Sequence, residues 1–239
     1  MFRQRIKLIK NFSKPFTVPT NARSLAPKMR SLIDYIEELD TAVTIITESW
    51  LKPGRQLQED IEDLHLSLLH CSRKSNRGRN AGGGVTLVYN KSKIELTEYK
   101  VKKAKSEMVC AIGKMPNLMR KLLIIGIYIS PRVRSRQYHF MLKAVSDAIL
   151  NAKSKLENPI VIVTGDLNHT NIEESIEEFP DIRRLATETT RGSSTLDFIA
   201  TNIHEQVTEI QTMTPLVTND GRESDHAVIF TRIKLNVTN

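Results

Sequence analysis

Four acids, a histidine and an amide stand at the ends of apolar runs, or inside them, where packing gives no reason for them. Glu48 directly follows AVTIIT (42–47), and Asp166 and Asn168 follow IVIVT-Gly (160–165). Asp197 interrupts LDFIA (196–200), and Ser224-Asp225-His226 directly precede Ala227–Phe230. Tyr128 lies near the end of LLIIGIYI (122–129). One such carboxylate means little, because Asp and Asn are ordinary turn formers. Several at strand ends can converge on one rim of a sheet and meet in one pocket. Crowded carboxylates repel unless a cation or proton intervenes, and oxygen ligands favour a hard ion such as Mg²⁺ or Mn²⁺. A histidine beside them adds an acid, a base or a phosphate-binding group. Metal, base and amide donors together are what phosphoryl transfer needs. Asp197 is costly to bury unpaired, and His226 is its natural partner.

The elements that would position these groups alternate in period. Met29, Leu32, Ile33, Ile36 and Leu39 recur at helical spacing, with Ser24 as a possible cap and Pro27 in the first turn. Residues 136–156 predict a second amphipathic helix through Phe140, Leu142, Val145, Ile149 and Leu156. Strands are predicted at 42–47, 85–89, 108–112, 122–129, 160–164, 196–201, 207–213 and 228–235. The run 122–129 reads as a central strand buried on both faces. Gly82-Gly83-Gly84 reads as a turn with free φ, since no phosphate-loop spacing follows it. Residues 51–80 are polar and mixed, with at most a short helix. So many strands with so few helices argue for sheet packed on sheet, with helices outside.

The chain has 239 residues and 40% hydrophobic content, enough for a sizeable core without staples. Cys71 and Cys110 fit no metal or redox spacing and read as small buried thiols. No run is long and apolar enough to span a bilayer, so no membrane association is expected. A net charge of +8 favours a polyanionic partner. Basic clusters at 73–79, 100–105 and 132–136 could follow a phosphate backbone. Residues 1–13, with Arg3, Arg5, Lys7 and Lys10, read as a basic arm, and 14–239 as one domain. An intracellular setting, nuclear or cytoplasmic, is expected, and the oligomeric state is not legible.

Seven motifs stand in a recognisable order: Asn21-Ala-Arg-Ser-Leu, Thr47-Glu48-Ser-Trp50-Leu51, Gly82-Gly-Gly84-Val, Tyr128-Ile-Ser-Pro131, Gly165-Asp-Leu-Asn168, Thr195-Leu-Asp197-Phe-Ile and Ser224-Asp-His226. Together they resemble the endonuclease/exonuclease/phosphatase superfamily, most of all the apurinic-like endonuclease domain of non-LTR (LINE-type) retrotransposons. The resemblance implies a four-layer α/β sandwich of the DNase I-like kind, two mixed β-sheets packed face to face and flanked by helices. It also implies a Mg²⁺-dependent DNA endonuclease that leaves a 3′-hydroxyl and a 5′-phosphate. By the same likeness, Glu48 is the main metal ligand and Asp225 a second-metal or supporting carboxylate. Asn21, Asn168 and Ser224 would bind phosphate, and Asp166 would align or deprotonate the attacking water. Tyr128 would donate to a phosphate oxygen, and Asp197 would orient His226 as phosphate ligand or base. Two other readings share some of these residues: a phosphoinositide or sphingomyelin phosphodiesterase, and a nucleic-acid-binding remnant without catalysis. Pro15 and Pro19, in the run before Asn21, predict a weakened first strand where the resemblance requires a central one.

Overall fold

A computed structural model describes residues 11–51, 61, 64–73, 82–101, 107–168, 170, 172–185 and 187–236. The basic N-terminal residues 1–10, most of the unassigned stretch 51–80 and most of the basic clusters at 73–79 and 100–105 lie outside this set.

Two six-stranded sheets pack face to face. In the first, β1 (Asn11–Asn21), β2 (Val43–Thr47), β3 (Leu66–Cys71), β4 (Val85–Asn90), β11 (Val207–Met213) and β12 (Val228–Asn236) run in the order β11-β12-β1-β2-β4-β3. The second holds β5 (Glu95–Glu98), β6 (Met108–Lys114), β7 (Leu122–Tyr128), β8 (Ile160–Asp166), β9 (Arg183–Arg184) and β10 (Asp197–Thr201), in the order β5-β6-β7-β8-β10-β9. Helix α1 (Met29–Glu38) covers the outer face of the first sheet, and α2 (Ser135–Lys155) that of the second. A single helical turn, α3 (Glu173–Ile176), also packs on the α2 side.

Three apolar clusters fill the three interfaces of this four-layer sandwich. Strand periodicity sorts them. On β7, Leu122, Ile124 and Tyr128 face the space between the sheets, while Leu123, Ile125 and Ile127 face α2. On β8, Ile160 and Ile162 point inward, and Val161 and Val163 point to the helix. The unbroken apolar run of β7 is thus two half-patterns, each buried by a different layer. On α1, Met29, Leu32, Ile33 and Ile36 form the buried stripe, packed with Ile46, Leu66 and Val88.

Among the described strand pairs, only β1–β2 and β7–β8 are parallel. Each is joined by a crossover carrying a helix, α1 in one case and α2 in the other, as parallel neighbours require. Both pairs end at the same rim, which fixes where polar groups can gather.

The first strand forms despite its prolines: β1 is central, between β12 and β2. Pro15 pairs opposite Arg232 on β12, and pairing with β2 begins only at Thr17. Pro15 therefore needs a donor toward one neighbour at most. Pro19 falls within the register shift between Thr17 and Thr20, where a bulge releases the ladder bond that proline cannot make. Ser24 does not cap α1. It takes φ +86°, and a 3₁₀ turn at Ala26–Lys28, containing Pro27, leads into the helix at Met29. The strands β3, β5 and β9 have no counterpart in the periodicity reading. All three are sheet-edge or near-edge strands with few buried residues, so no alternation marks them. Cys110 is buried, and that burial pushes its thiol up to about 12; Cys71 is half-buried.

Gly165 shows how tightly the rim is built. A Cβ there would lie 1.7 Å from the carbonyl oxygen of Ile127, on the paired strand β7. Backbone cannot yield as a flexible side chain does. Gly165→Ala is expected to destabilise by roughly 3 kcal/mol or more. The thermal midpoint would then fall by about 6 °C or more. A melt within about 2 °C of wild type would contradict this packing.

Candidate active site

Period-2 alternation puts Tyr128, Asp166 and Asp197 on the inner faces of β7, β8 and β10, where the apolar inter-sheet core ends. The registers align them: Tyr128 pairs with Asp166, and Asp166 with Asp197. From the opposite sheet come Asn21 at the end of β1, Glu48 just past β2, and His226 just before β12.

Three side-chain hydrogen bonds then cross the sandwich. Asn21 Nδ2 donates to Asp166 Oδ2 at 2.9 Å, and His226 Nδ1 meets Asp197 Oδ2 at 2.9 Å. The Tyr128 hydroxyl donates to Glu48 Oε1. Each joins one sheet to the other, so the site exists only when the two sheets are docked. Asp166 and Asp197 are fully buried, and His226 is 1% exposed. Asp166 Oδ1 also accepts from the backbone N–H of Asn168 at 2.8 Å, which the left-handed φ of +51° at Asn168 makes possible. The Asn168 amide donates to the Ile129 carbonyl at 2.8 Å.

Burial, then the nearby charge of Asp197, pushes the Asp166 carboxyl up to about 7. Burial pulls the His226 imidazole down, but the hydrogen bond and charge of Asp197 outweigh it and hold the ring above its ordinary value. Burial and Glu48 raise the Tyr128 phenol, which therefore stays a proton donor. With Nδ1–H directed at Asp197, the His226 Nε2 is a donor when the ring is charged and an acceptor when it is neutral.

The donor atoms of Asp166, Asp197 and His226 all lie within 4.8 Å of one another. Asp197 Oδ1 is buried with no hydrogen-bond partner among the described residues. Two buried carboxylates beside one imidazole, with an orphaned oxygen, fit a hard divalent cation. Glu48 and Asp225 stand outside this group of three. Glu48 engages Tyr128, whose phenol also feels the charge of Asp166. Asp225 Oδ2 takes Arg191 Nη2 at 2.8 Å and Arg23 Nη1 at 3.2 Å. Ser224 is buried, its Oγ 3.4 Å from the Ala22 carbonyl, which it ties to the Asn21 segment.

Sequence reasoning passes over several groups that complete the site. Thr190 accepts from the N–H of Leu196 and Asp197 through Oγ1, and its carbonyl accepts from Ala227 N at 2.8 Å. One threonine thus anchors both Asp197 and His226, and nothing in its local sequence marks it. Arg23 stands in the Asn21 motif with no role marked for it, and nothing in the sequence pairs it or Arg191 with Asp225. Glu107 lies in no motif, yet it is mostly buried beside Glu48.

A double α/β sandwich with carboxylates and a histidine bridging its sheets at one rim defines a metal-dependent phosphodiester hydrolase. The chain belongs to the Endonuclease/Exonuclease/phosphatase family, whose profile matches residues 10–227. Compared by sequence with curated proteins, it matches none. Among solved structures it is similar to the endonuclease domain of TRAS1, a telomere-specific non-LTR retrotransposon, with TM-score 0.66 and 13% identity over 95% of this chain and 99% of that one. It is similar to the 3′-5′ exonuclease NExo from Neisseria meningitidis, with TM-score 0.66 and 10% identity over 93% and 100% of the two chains. An AP endonuclease from Archaeoglobus fulgidus gives TM-score 0.65 and 11% identity over 91% and 98%. At such identities the likeness is one of fold.

Proposed function

We propose that this protein is a Mg²⁺-dependent DNA endonuclease, of the kind carried by non-LTR retrotransposons, that nicks a phosphodiester to leave a 3′-hydroxyl and a 5′-phosphate. The carrying observation is the trio of cross-sheet bridges, which gathers Asn21, Glu48, Tyr128, Asp166, Asp197 and His226 at one rim. The carboxylates of Asp166 and Asp197 would hold the ion beside His226, with Glu48 a further oxygen ligand by family likeness. Mg²⁺ or Mn²⁺ bound here would supply Lewis-acid stabilisation of charge building on the phosphate oxygens.

The chain's own groups divide the remaining work. Asp166, held by Asn21 and Asn168, would align an attacking water and take its proton. His226, oriented by Asp197, presents Nε2 to the scissile phosphate. Tyr128 keeps its proton and can donate to a phosphate oxygen. Arg23 and Arg191, paired on Asp225, offer guanidinium groups at the rim.

DNA as substrate is supported by the loop that leaves β7. Arg132 and Arg134 in it, and Arg136 in the first turn of α2, are exposed, and no acid occurs between Glu107 and Asp147. The loop is fastened beside the site, since the Ile129 N–H donates to the Asp166 carbonyl at 2.9 Å. A phosphate backbone entering the site would run along these cations.

Incubating supercoiled plasmid with Mg²⁺ is expected to give nicked circles whose ends a polymerase extends directly, and EDTA should abolish the product. Replacing Arg132, Arg134 and Arg136 by Ser should flatten the dependence of log affinity on log salt by roughly 3. Intact plasmid with either Mg²⁺ or Mn²⁺ would sink the reading. Cleavage of phospholipid headgroups instead would move the protein to a different substrate class.

A further inference from the structure

Glu48 is held in an unusual way, and the cause lies outside the motifs that contain it. Its φ is +46°, and that of Trp50 is +52°. A left-handed backbone at a non-glycine residue persists only where its surroundings enforce it. Here Ser49 and Trp50 donate their N–H groups to the carbonyls of Gly84, at 3.4 Å, and Gly83, at 3.0 Å. The Trp50 indole lies against Gly82, where a Cβ would meet Nε1 at 2.7 Å.

The glycine turn is in turn fixed by Glu107. Its Oε2 accepts the Gly84 N–H at 2.6 Å, and its Oε1 accepts Arg73 Nε at 2.5 Å. The Arg73 guanidinium sits over the Tyr128 ring, 5.7 Å from the centroid, and Tyr128 donates to Glu48. The backbone N–H of Tyr128 also donates to the Glu107 carbonyl at 2.9 Å. Two routes therefore run from Glu107 to Glu48, one through the glycine turn and one through Arg73 and Tyr128. Burial pushes the Glu107 carboxyl up, while Arg73 and Gly84 pull it back. Arg73 also neutralises a second carboxylate that would otherwise face Glu48 unpaired.

We propose that Glu107, with Arg73, is a positioning residue that sets the backbone and side chain of Glu48 for metal binding. The proposal rests on the reading of the rim as a metal-dependent site. It gives Glu107 no contact with substrate or ion. A neutral amide at 107 has one acceptor oxygen where two donors converge, so one route must break.

The test uses the protein's single tryptophan, Trp50, which reports on this turn. Mn²⁺ is titrated against its fluorescence for wild type, Glu107→Gln and Arg73→Lys, beside plasmid nicking and a thermal melt. A raised Mn²⁺ midpoint by about 10–100-fold in Glu107→Gln is expected, as for partners one layer behind a metal ligand. The maximal nicking rate should fall in parallel, with KM for plasmid within about threefold if Glu107 acts through Glu48 rather than on DNA. Arg73→Lys keeps the charge but loses the planar fork, and should fall between the two. Should Glu107→Gln fail to fold, the Arg73→Lys titration decides alone. Wild-type Mn²⁺ midpoints in the folded variants, even with lower melting temperatures, would overturn the proposal while leaving the endonuclease reading intact. Wild-type protein that neither binds Mn²⁺ nor nicks plasmid would overturn both.

Discussion

Asp166→Asn is expected to lower the nicking rate by about 10³-fold or more while DNA affinity stays equal to wild type or becomes tighter. The substitution keeps the size of the side chain and removes its charge and its capacity as a base. Less negative charge at the rim also repels a phosphate less. The amide brings a second conflict. Asn21 Nδ2 and the Asn168 N–H both point donors at Asp166, and an amide can accept on one atom only. Turning the Asn21 amide would restore that contact but cost the bond its Oδ1 makes with the Arg23 N–H, at 3.1 Å. Rates within tenfold of wild type would remove Asp166 from the reaction.

The same residue predicts a pH effect on the metal-free fold. Its carboxyl is raised to about 7 when folded, against about 3.9 in an unfolded chain. A raised acid binds its proton more tightly in the native state. Its stabilising contribution is therefore complete below about pH 4 and is lost as pH rises through about 7. In EDTA, Asp166→Asn should flatten the decline in unfolding free energy between about pH 4 and about pH 7. Identical slopes for the two proteins would contradict the burial argument. Adding Mn²⁺ should offset the decline in wild type alone, because the ion replaces the missing proton.

His226→Ala is expected to reduce nicking by about 10²–10⁴-fold. It also strands Asp197, whose Oδ1 already has no partner among the described residues. Breaking a buried pair from one side destabilises by roughly 3 kcal/mol. The pH sign differs from an exposed substitution. The imidazole is raised despite its burial, so the pair's contribution is present below the unfolded histidine value of about 6.5 and lost as pH rises through the folded one. The penalty of His226→Ala in EDTA should thus be larger at pH 6 than at pH 9. Asp197→Asn separates orientation from charge. An amide can turn its NH₂ toward Nδ1 and favour the tautomer with its proton on Nε2. A nicking rate at the wild-type level in Asp197→Asn would remove the orienting role.

Much of this was open to reading in the residue order. The runs IVIVT and LLIIGIYI announce paired strands because each is flanked by turn formers and buried on both faces. The polar residues that end them, Tyr128, Asp166 and Asp197, are legible for the same reason, since packing does not call for them. Strand parity even places all three on one face. The edge strands are not legible, because β5 and β9 bury too little to leave a pattern. The strand β1 is legible, but how its prolines are accommodated is not, because that depends on a register shift and on neighbours far along the chain.

The sequence by itself determined the chemical inventory and the family, since both depend on residue types in order. The tertiary structure alone decided which groups touch. Asn21 reaches Asp166 across 145 residues, and His226 reaches Asp197 across 29, because two sheets meet face to face. It also decided that Asp225 engages two arginines, and that Glu107, in no motif, stands behind Glu48. Local propensity acts over a few residues, whereas hydrogen bonds between docked sheets depend on register, twist and layer packing. Those emerge only once the whole core has closed.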